Sequence, residues 1–481
     1  MAGGKEHDIW QYGDFQTPSV LALEVCKRLA DMGIDPKSVI EPTSGRGAFL
    51  KAAVVSFPHA SSILGVEINA KYVEEARLLI KETNSNHLQV EQGDFFATDW
   101  NLLLCSKESP LLVLGNPPWV TSADLGSLKS TNLPTKSNFQ GHTGLDALTG
   151  KANFDISEWM LLQQVGWLKK RTGWIAMLVK TAVARKVLRQ MWKTGEQVGR
   201  ASIFKIDTMR HFGASVDACL FVLPVGVDTA YDCDVFDSLD AVEPSGTIGW
   251  HDGYLVSDVV AYMKRRELLG PNSDRKWRSG VKHDCSKVME LTRSDGGTLS
   301  NGFGENVSIE PDLVFPLLKS SDVAKGRARG DRYMIVTQQK VGADTSTIAS
   351  TTPKTWAYLE SHGDKLDARG SVIYRKKPRF SIFGVGDYTF APWKIAISGF
   401  YKSILFSKFG PIDGKPVVFD DTVYFLPCWS EEEADLILTI VRSEPYRLLL
   451  ASMIFADEKR PVTTDLLKRI SLDQVARFIG V

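Results

Sequence analysis

The chain has 481 residues, 57 Lys and Arg balanced against 57 Asp and Glu, and an apolar content of 43%. That length implies two or three domains with cores of their own, and a neutral total excludes a uniformly basic or acidic protein while leaving room for a local charged surface. Six cysteines without a CxxC pair and eight histidines without HExxH spacing give no sign of a disulfide framework or a zinc site. The chain has no run of about 18 apolar residues and MAGGKEHDIW is no signal peptide, so a cytoplasmic protein is expected.

In chain order, Phe15-Gln16-Thr17-Pro18 precedes an amphipathic helix over Ser19 to Met32, with Val20, Leu21, Leu23, Val25, Leu29 and Met32 at helical spacing. Pro18 suits the helix start, and Thr17 by itself reads as an N-cap. Ser38-Val39-Ile40-Glu41-Pro42-Thr43-Ser44-Gly45-Arg46-Gly47-Ala48 then reads as a short strand, a glycine-containing turn and a helix start. That geometry brings a ligand close to backbone N–H groups, although GxG lacks the third glycine of a full dinucleotide fingerprint. A second strand, Ile63 to Ile68, reaches Glu67, whose carboxylate can accept both hydroxyls of a ribose. A third, Leu88 to Gln92, leads to Asp94, suited to an adenine amine beside the Phe95 ring. One acid at a strand tip is ordinary; three in series suggest a cofactor site.

The fourth strand ends in the most informative stretch, LLVLGNPPW from Leu111 to Trp119. The exocyclic amine of adenine or cytosine is a poor nucleophile because its lone pair is delocalised into the ring. The Asn116 side-chain oxygen and the Pro117 carbonyl can accept both amine hydrogens, favouring a pyramidal nitrogen with its lone pair turned to an electrophile. Pro117 and Pro118 restrict the backbone, so these acceptors need little reorganisation. Trp119 offers a flat face to an extruded base. Taken without its surroundings, the same tripeptide is equally a proline-rich turn after a strand.

A polar segment from Val120 to Asn153 follows, long enough to be functional, and next to this turn it is expected to close over substrate, an ordinary disordered insertion being the alternative. Lys129 and Lys136 within it are candidate DNA contacts. Further elements are a helix over Ser157 to Lys170, a strand over Gly173 to Val179, a helix over Ala182 to Lys193, and strands over Ala201 to Met209 and Ala218 to Pro224. Phe212, in a turn between the last two, is placed to face Trp119 across a bound base, or else packs in the core.

Asp228 to Glu243 carries no Lys or Arg and reads as an acidic edge or linker, setting domain boundaries at 1–227 and 228–481. From Lys319 to Lys408 the chain has sixteen Lys and Arg against seven Asp and Glu, a local excess of nine. Within it Tyr374 to Lys394 interleaves basic residues with aromatics and glycines, a pattern suited to tracking phosphates while rings reach bases. Arg375, Lys376, Lys377, Arg379, Tyr388 and Lys394 are the candidate DNA-binding residues, and a hairpin with a basic exposed face is the plainer alternative.

The order FQTP, EPTSGRGAFL, GVEI, GDFF, GNPPW and FGASVDACLFVL resembles the S-adenosylmethionine-dependent amino-group DNA methyltransferases in their gamma arrangement. PDLVFPLLK and FSIFGVGDYTFAPWK resemble the recognition region of the same enzymes. The resemblance implies an α/β, Rossmann-like seven-stranded methyltransferase sheet with helices on both faces and its last strand reversed, plus a C-terminal α+β target-recognition domain. It implies that Thr17, Pro18, Glu41, Ser44, Gly45 and Gly47 hold the methionine end of S-adenosyl-L-methionine, with Glu67 and Ile68 at its ribose and Asp94 and Phe95 at its adenine. Asn116, Pro117, Pro118, Trp119 and Phe212 then hold the target base, with Asn116 also beside the cofactor. Members acting on N4 of cytosine more often have Ser at the Asn116 position, which favours adenine N6. Double-stranded DNA is the implied substrate, and a cognate restriction endonuclease or another defence protein is an implied partner.

Rival readings are a protein glutamine N-methyltransferase, whose side-chain amide also fits such a turn, an N4-cytosine enzyme, a type I modification subunit, and an inactive DNA-binding subunit. C5-cytosine methylation needs a Cys after Pro, and Pro427-Cys428 lies far from every cofactor motif.

Overall fold

A computed structural model describes residues 16–83, 85–120, 155–272, 275–328, 330–401 and 403–481. It divides into two compact units, Met1–Val259 and Val260–Val481.

The first unit is built on one sheet. Strands β1 (Ser38–Glu41), β2 (Ser62–Glu67), β3 (Leu88–Gln92), β4 (Leu111–Gly115) and β5 (Gly173–Lys180) are parallel, whereas β7 (Ala218–Val225) runs antiparallel between β5 and β6 (Ala201–Ile206). Every residue of β1 and β4 is buried, the pattern of strands covered on both faces, which is why they read as unbroken apolar runs. The helices between them are α1 (Ser19–Asp31), α2 (Ala48–Ser56), α3 (Ala70–Thr83), α4 (Trp100–Leu104), α5 (Ile156–Leu168), α6 (Thr181–Thr194) and the short α7 (Thr208–Phe212). In α1 the buried stripe is Leu21, Ala22, Val25, Cys26 and Leu29; Val20 and Leu23, expected on it, face outward.

The sheet does not stop at seven strands. β8 (Asp232–Phe236) pairs parallel with β6, and β9 (Gly246–His251) and β10 (Tyr254–Val256) continue from it, giving ten strands in the order β10-β9-β8-β6-β7-β5-β4-β1-β2-β3. The acidic stretch expected to be an edge or linker therefore contains an added strand within the sheet. The Arg200 guanidinium spans its Asp232 and Asp234 at 3.3 and 2.6 Å, while Cys233 between them is fully buried. The unit accordingly extends past the expected boundary at 227 to Val259.

The second unit is α+β. One of its sheets has the order β11-β20-β17-β18, from β11 (Arg278–Ser279), β17 (Trp393–Ser398), β18 (Ser407–Phe409) and β20 (Val423–Cys428). The other has the order β14-β13-β12-β16-β15-β19, from β12 (Glu290–Arg293), β13 (Leu299–Asn301), β14 (Asn306–Val307), β15 (Val314–Leu318), β16 (Arg332–Ile335) and β19 (Val418–Phe419). No helix of the described residues is long and apolar enough to cross a membrane.

Candidate active site

Because β1, β2 and β3 are parallel neighbours, Glu41 and Glu67 end adjacent strands and Asp94 follows the third by two residues. The Glu67 carboxylate is held by two backbone donors, Gly45 N–H to Oε2 at 2.7 Å and Asn69 N–H to Oε1 at 2.8 Å. The turn between β1 and α2 passes close to neighbouring chain: Gly47, with φ +83°, caps α2, and a Cβ there would come within 3.2 Å of Ala76 Cβ. Glycine at this position thus supplies both a left-handed backbone and a close approach.

Two buried polar atoms in this cradle have no hydrogen-bond partner among the described residues, Glu41 Oε2 and Ser44 Oγ. Such groups each cost roughly 1–3 kcal/mol when left unsatisfied, and these two lie three residues apart in the turn that follows β1. Burial pushes the Glu41 carboxyl well above the usual carboxylate range, and the nearby Glu67 charge adds to the shift. A cationic ligand reverses that preference. Ile68, next along from Glu67, is 41% exposed and presents an apolar face at the same rim.

Asp94 Oδ1 accepts the Phe96 N–H at 2.9 Å. The Phe95 ring is enclosed by Phe96, Trp100, Trp159 and Trp167, with centroids 5.4 to 6.1 Å away. The expected stacking face at position 95 is thus occupied by protein rings. Trp159 and Trp167, not expected from sequence to enclose this ring, lie eight residues apart on one side of α5.

At the end of β4, Asn116 Nδ2 donates to Thr17 Oγ1 at 3.2 Å, joining two motifs 99 residues apart. Pro18, not Thr17, is the capping residue of α1, so the threonine hydroxyl is committed to the turn. Trp119 is 6% exposed and its indole N–H donates to the Leu178 carbonyl at 3.0 Å. Its ring meets Phe212 edge to face, centroids 5.4 Å apart and planes at 67°. The two rings expected to flank a base are therefore together, and in mutual contact. Lys180, also missed from sequence, donates to the Trp119 carbonyl at 3.1 Å and to Asp155 Oδ2 at 2.8 Å. Lys129 and Lys136 lie outside the described residues.

In the second unit the candidate nucleic-acid residues separate sharply. Arg375, Lys376 and Lys377 are exposed on one turn after the 3-10 helix Val372–Tyr374. Arg379 is committed to Asp367 at 3.1 Å and lies 3.9 Å from Glu360. Tyr388 is half-buried, with the Arg278 guanidinium 4.5 Å from its ring centre. Lys394 is not a surface residue: it is 1% exposed, its Nζ donates to the Ala391 carbonyl at 2.6 Å, and burial lowers its pKa to about 7. It occupies β17, hydrogen-bonded on both sides by β18 and β20, where all residues after Trp393 are buried. That correction removes one expected phosphate ligand.

A sheet with this strand order, carrying a polar cradle over β1 and β2 and an amide-proline turn on β4, has the architecture of the S-adenosylmethionine-dependent methyltransferases, and S-adenosylmethionine is the cofactor. Comparison with protein-family models finds no match. Type II methyltransferase M.NspV of Nostoc sp. strain ATCC 29411 / PCC 7524 is 44% identical over 471 residues, covering 98% of both chains. The chain belongs to this family of type II DNA methyltransferases, the modification enzymes of restriction-modification systems. Among solved structures, the type IIL restriction-modification enzyme MmeI in complex with DNA matches 96% of this chain with a TM-score of 0.53 and 13% identity. The present chain spans 64% of that longer one, and the likeness is one of fold. A type I restriction-modification methyltransferase subunit from Streptococcus thermophilus matches 48% of this chain and 50% of its own, at 16% identity and a TM-score of 0.31.

Proposed function

We propose that this enzyme methylates N6 of adenine at a specific sequence in duplex DNA, with its motifs in the gamma order. Unit 1–259 carries catalysis and unit 260–481 target recognition. The observation that carries the reading is the Asn116 amide, held by Thr17 at 3.2 Å at the end of β4, next to a cradle with two unsatisfied buried acceptors.

The cofactor supplies a methyl group on a positively charged sulfur. Glu41, Ser44 and the turn at Gly45 and Gly47, with Thr17 and Pro18, hold its methionine end. There the Glu41 carboxyl, whose charged form burial disfavours, is favoured in its ionised form by a cation. The Glu67 carboxylate, oriented by the Gly45 and Asn69 N–H groups, accepts the ribose hydroxyls. Asp94 and the backbone N–H of Phe95 pair an acceptor with a donor, the complement of adenine's amine edge, over the apolar face of Ile68. Asn116 Oδ1 and the Pro117 carbonyl accept the hydrogens of the target amine and take up the positive charge that develops on it. Pro118 fixes the turn.

Stacking a base between Trp119 and Phe212 needs about 7 Å between ring planes, two contacts of about 3.5 Å, so these rings part before the base enters. Trp119 is tied to Leu178 and Lys180, and Phe212 ends a five-residue helix. Arg375, Lys376 and Lys377 contribute phosphate contacts.

The test is to incubate the purified protein with methyl-labelled S-adenosylmethionine and genomic DNA, digest to nucleosides and separate them by mass. Labelled N6-methyldeoxyadenosine is expected; label in N4-methyldeoxycytidine overturns the choice of base.

A further inference from the structure

The ammonium of Lys180 sits where the chain leaves the catalytic turn and where it returns. On the outgoing side it holds the Trp119 carbonyl at 3.1 Å; on the returning side it holds Asp155 Oδ2 at 2.8 Å. One residue further along each arm, Ile156 N–H donates to the Val120 carbonyl at 3.0 Å. Asp155 is itself fixed, since its Oδ1 accepts the Ser157 N–H at 3.1 Å and caps α5. Lys180 is the one charged residue of β5, GWIAMLVK, two positions after the Leu178 carbonyl that anchors the Trp119 indole. The ring of Trp119 is thus anchored by a backbone carbonyl, and its own carbonyl by a side chain, both from the C-terminal end of β5.

We infer that Lys180 is a positioning residue for methyl transfer, clamping the Asn116–Trp119 turn in its reactive geometry through the Trp119 carbonyl, with Asp155 as its fixed counter-charge. The inference rests on the reading of that turn as catalytic. Proline rings fix φ at positions 117 and 118 but not the ψ angles of Pro117, which orients its carbonyl, and of Pro118. Holding the Trp119 carbonyl removes that freedom, so the Pro117 carbonyl and the Asn116 amide are aimed before substrate arrives. Pairing with Asp155 also neutralises the ammonium, so the charge developing on the amine is not opposed by an uncompensated cation nearby.

The experiment compares Lys180→Met, Lys180→Arg and the pair Lys180→Met/Asp155→Asn in the full-length protein. The readings are kcat and KM for methyl transfer into genomic DNA, affinity for S-adenosylmethionine by calorimetry, and melting temperature. Lys180→Met alone leaves the buried Asp155 carboxylate unpaired, so it loses melting temperature together with turnover. The double variant removes that unpaired charge. It regains melting temperature and cofactor affinity within twofold of the parent, whereas kcat stays about 10- to 100-fold low with KM little changed. Lys180→Arg reaches both acceptors and keeps kcat within about fivefold of the parent. A double variant turning over within twofold of the parent overturns the clamp, as does one whose cofactor affinity falls as far as its kcat. If the parent protein transfers no methyl to DNA, it is the catalytic reading that fails; an active parent with an active double variant refutes Lys180 alone.

Discussion

Replacing Lys394 with methionine is expected to stabilise the protein at neutral pH, an unusual outcome for removal of a basic residue from a DNA-modifying enzyme. The lysine is 1% exposed, and burial lowers its pKa from 10.5 to about 7. At about 1.4 kcal/mol per unit, ionisation of the unfolded chain opposes folding by roughly 4 kcal/mol at pH 7. Methionine fills similar volume without charge, but leaves the Ala391 carbonyl without its donor, at a cost of about 1–3 kcal/mol. The net gain is about 1–3 kcal/mol, or roughly 2–4 °C per kcal/mol for a unit of this size. The sign follows from proton uptake. With a depressed folded pKa, the folded state binds fewer protons than the unfolded chain between about 7 and 10.5, so parent stability rises with pH across that window and is lost as pH falls toward 7. Urea melts of parent and variant from pH 6 to pH 10 read this directly: the advantage of methionine is full at the acid end and fades toward pH 10. DNA affinity at low salt stays unchanged. A variant less stable than the parent at pH 7, or a pH-independent difference, refutes the account of a buried, charge-depleted lysine.

Other expectations concern the site and the basic turn. Thr17→Val removes the hydroxyl that holds Asn116 and is expected to lower kcat about fivefold, the effect of one hydrogen bond of about 1 kcal/mol, in single-turnover assays. Glu41 has a raised folded pKa, so its contribution to ligand-free stability is full below 4.5 and lost as pH rises through the folded value. Cofactor affinity therefore rises with pH, and calorimetry in buffers of different ionisation enthalpy is expected to register proton release that Glu41→Gln abolishes. Arg375→Ala with Lys377→Ala is expected to weaken DNA binding and reduce the salt slope by about one for each phosphate no longer neutralised; an unchanged slope moves the surface elsewhere.

Much of the first unit was legible because its central strands are buried on both faces, and such strands read as short apolar runs closed by Gly or Pro. β1, β4 and β7 follow that rule, β5 is a like run opened by Gly173, and the helices between them show their apolar spacing. β8 was illegible for the opposite reason. It carries Asp232 and Asp234 on one face, and the Arg200 guanidinium, just ahead of the neighbouring β6, helps make those charges tolerable in a sheet. Lys394 shows the same limit: a lysine among aromatics has one composition whether it faces phosphate or sits under Phe425, and its strand partners are distant in sequence. The tips of β1 to β4 gave away the acids and the amide, but not the hydrogen bonds between them. That Thr17 serves Asn116 rather than α1, and that Lys180 joins Trp119 to Asp155, depends on strand order. Phe212 and Trp119 meet edge to face, but Trp119 is buried in the core and Phe212 packs against the same core, so the plainer reading of Phe212 as a core residue is also met.

The central claim is that the Asn116 turn activates the amine of adenine within one DNA sequence. Sequencing modified bases in DNA from cells expressing either the parent or Asn116→Ala tests it most directly. The account predicts N6-methyladenine at a single recurring motif in the parent and none in the variant, with the variant still binding S-adenosylmethionine. Methylcytosine at the motif, or N6-methyladenine surviving in Asn116→Ala, contradicts it.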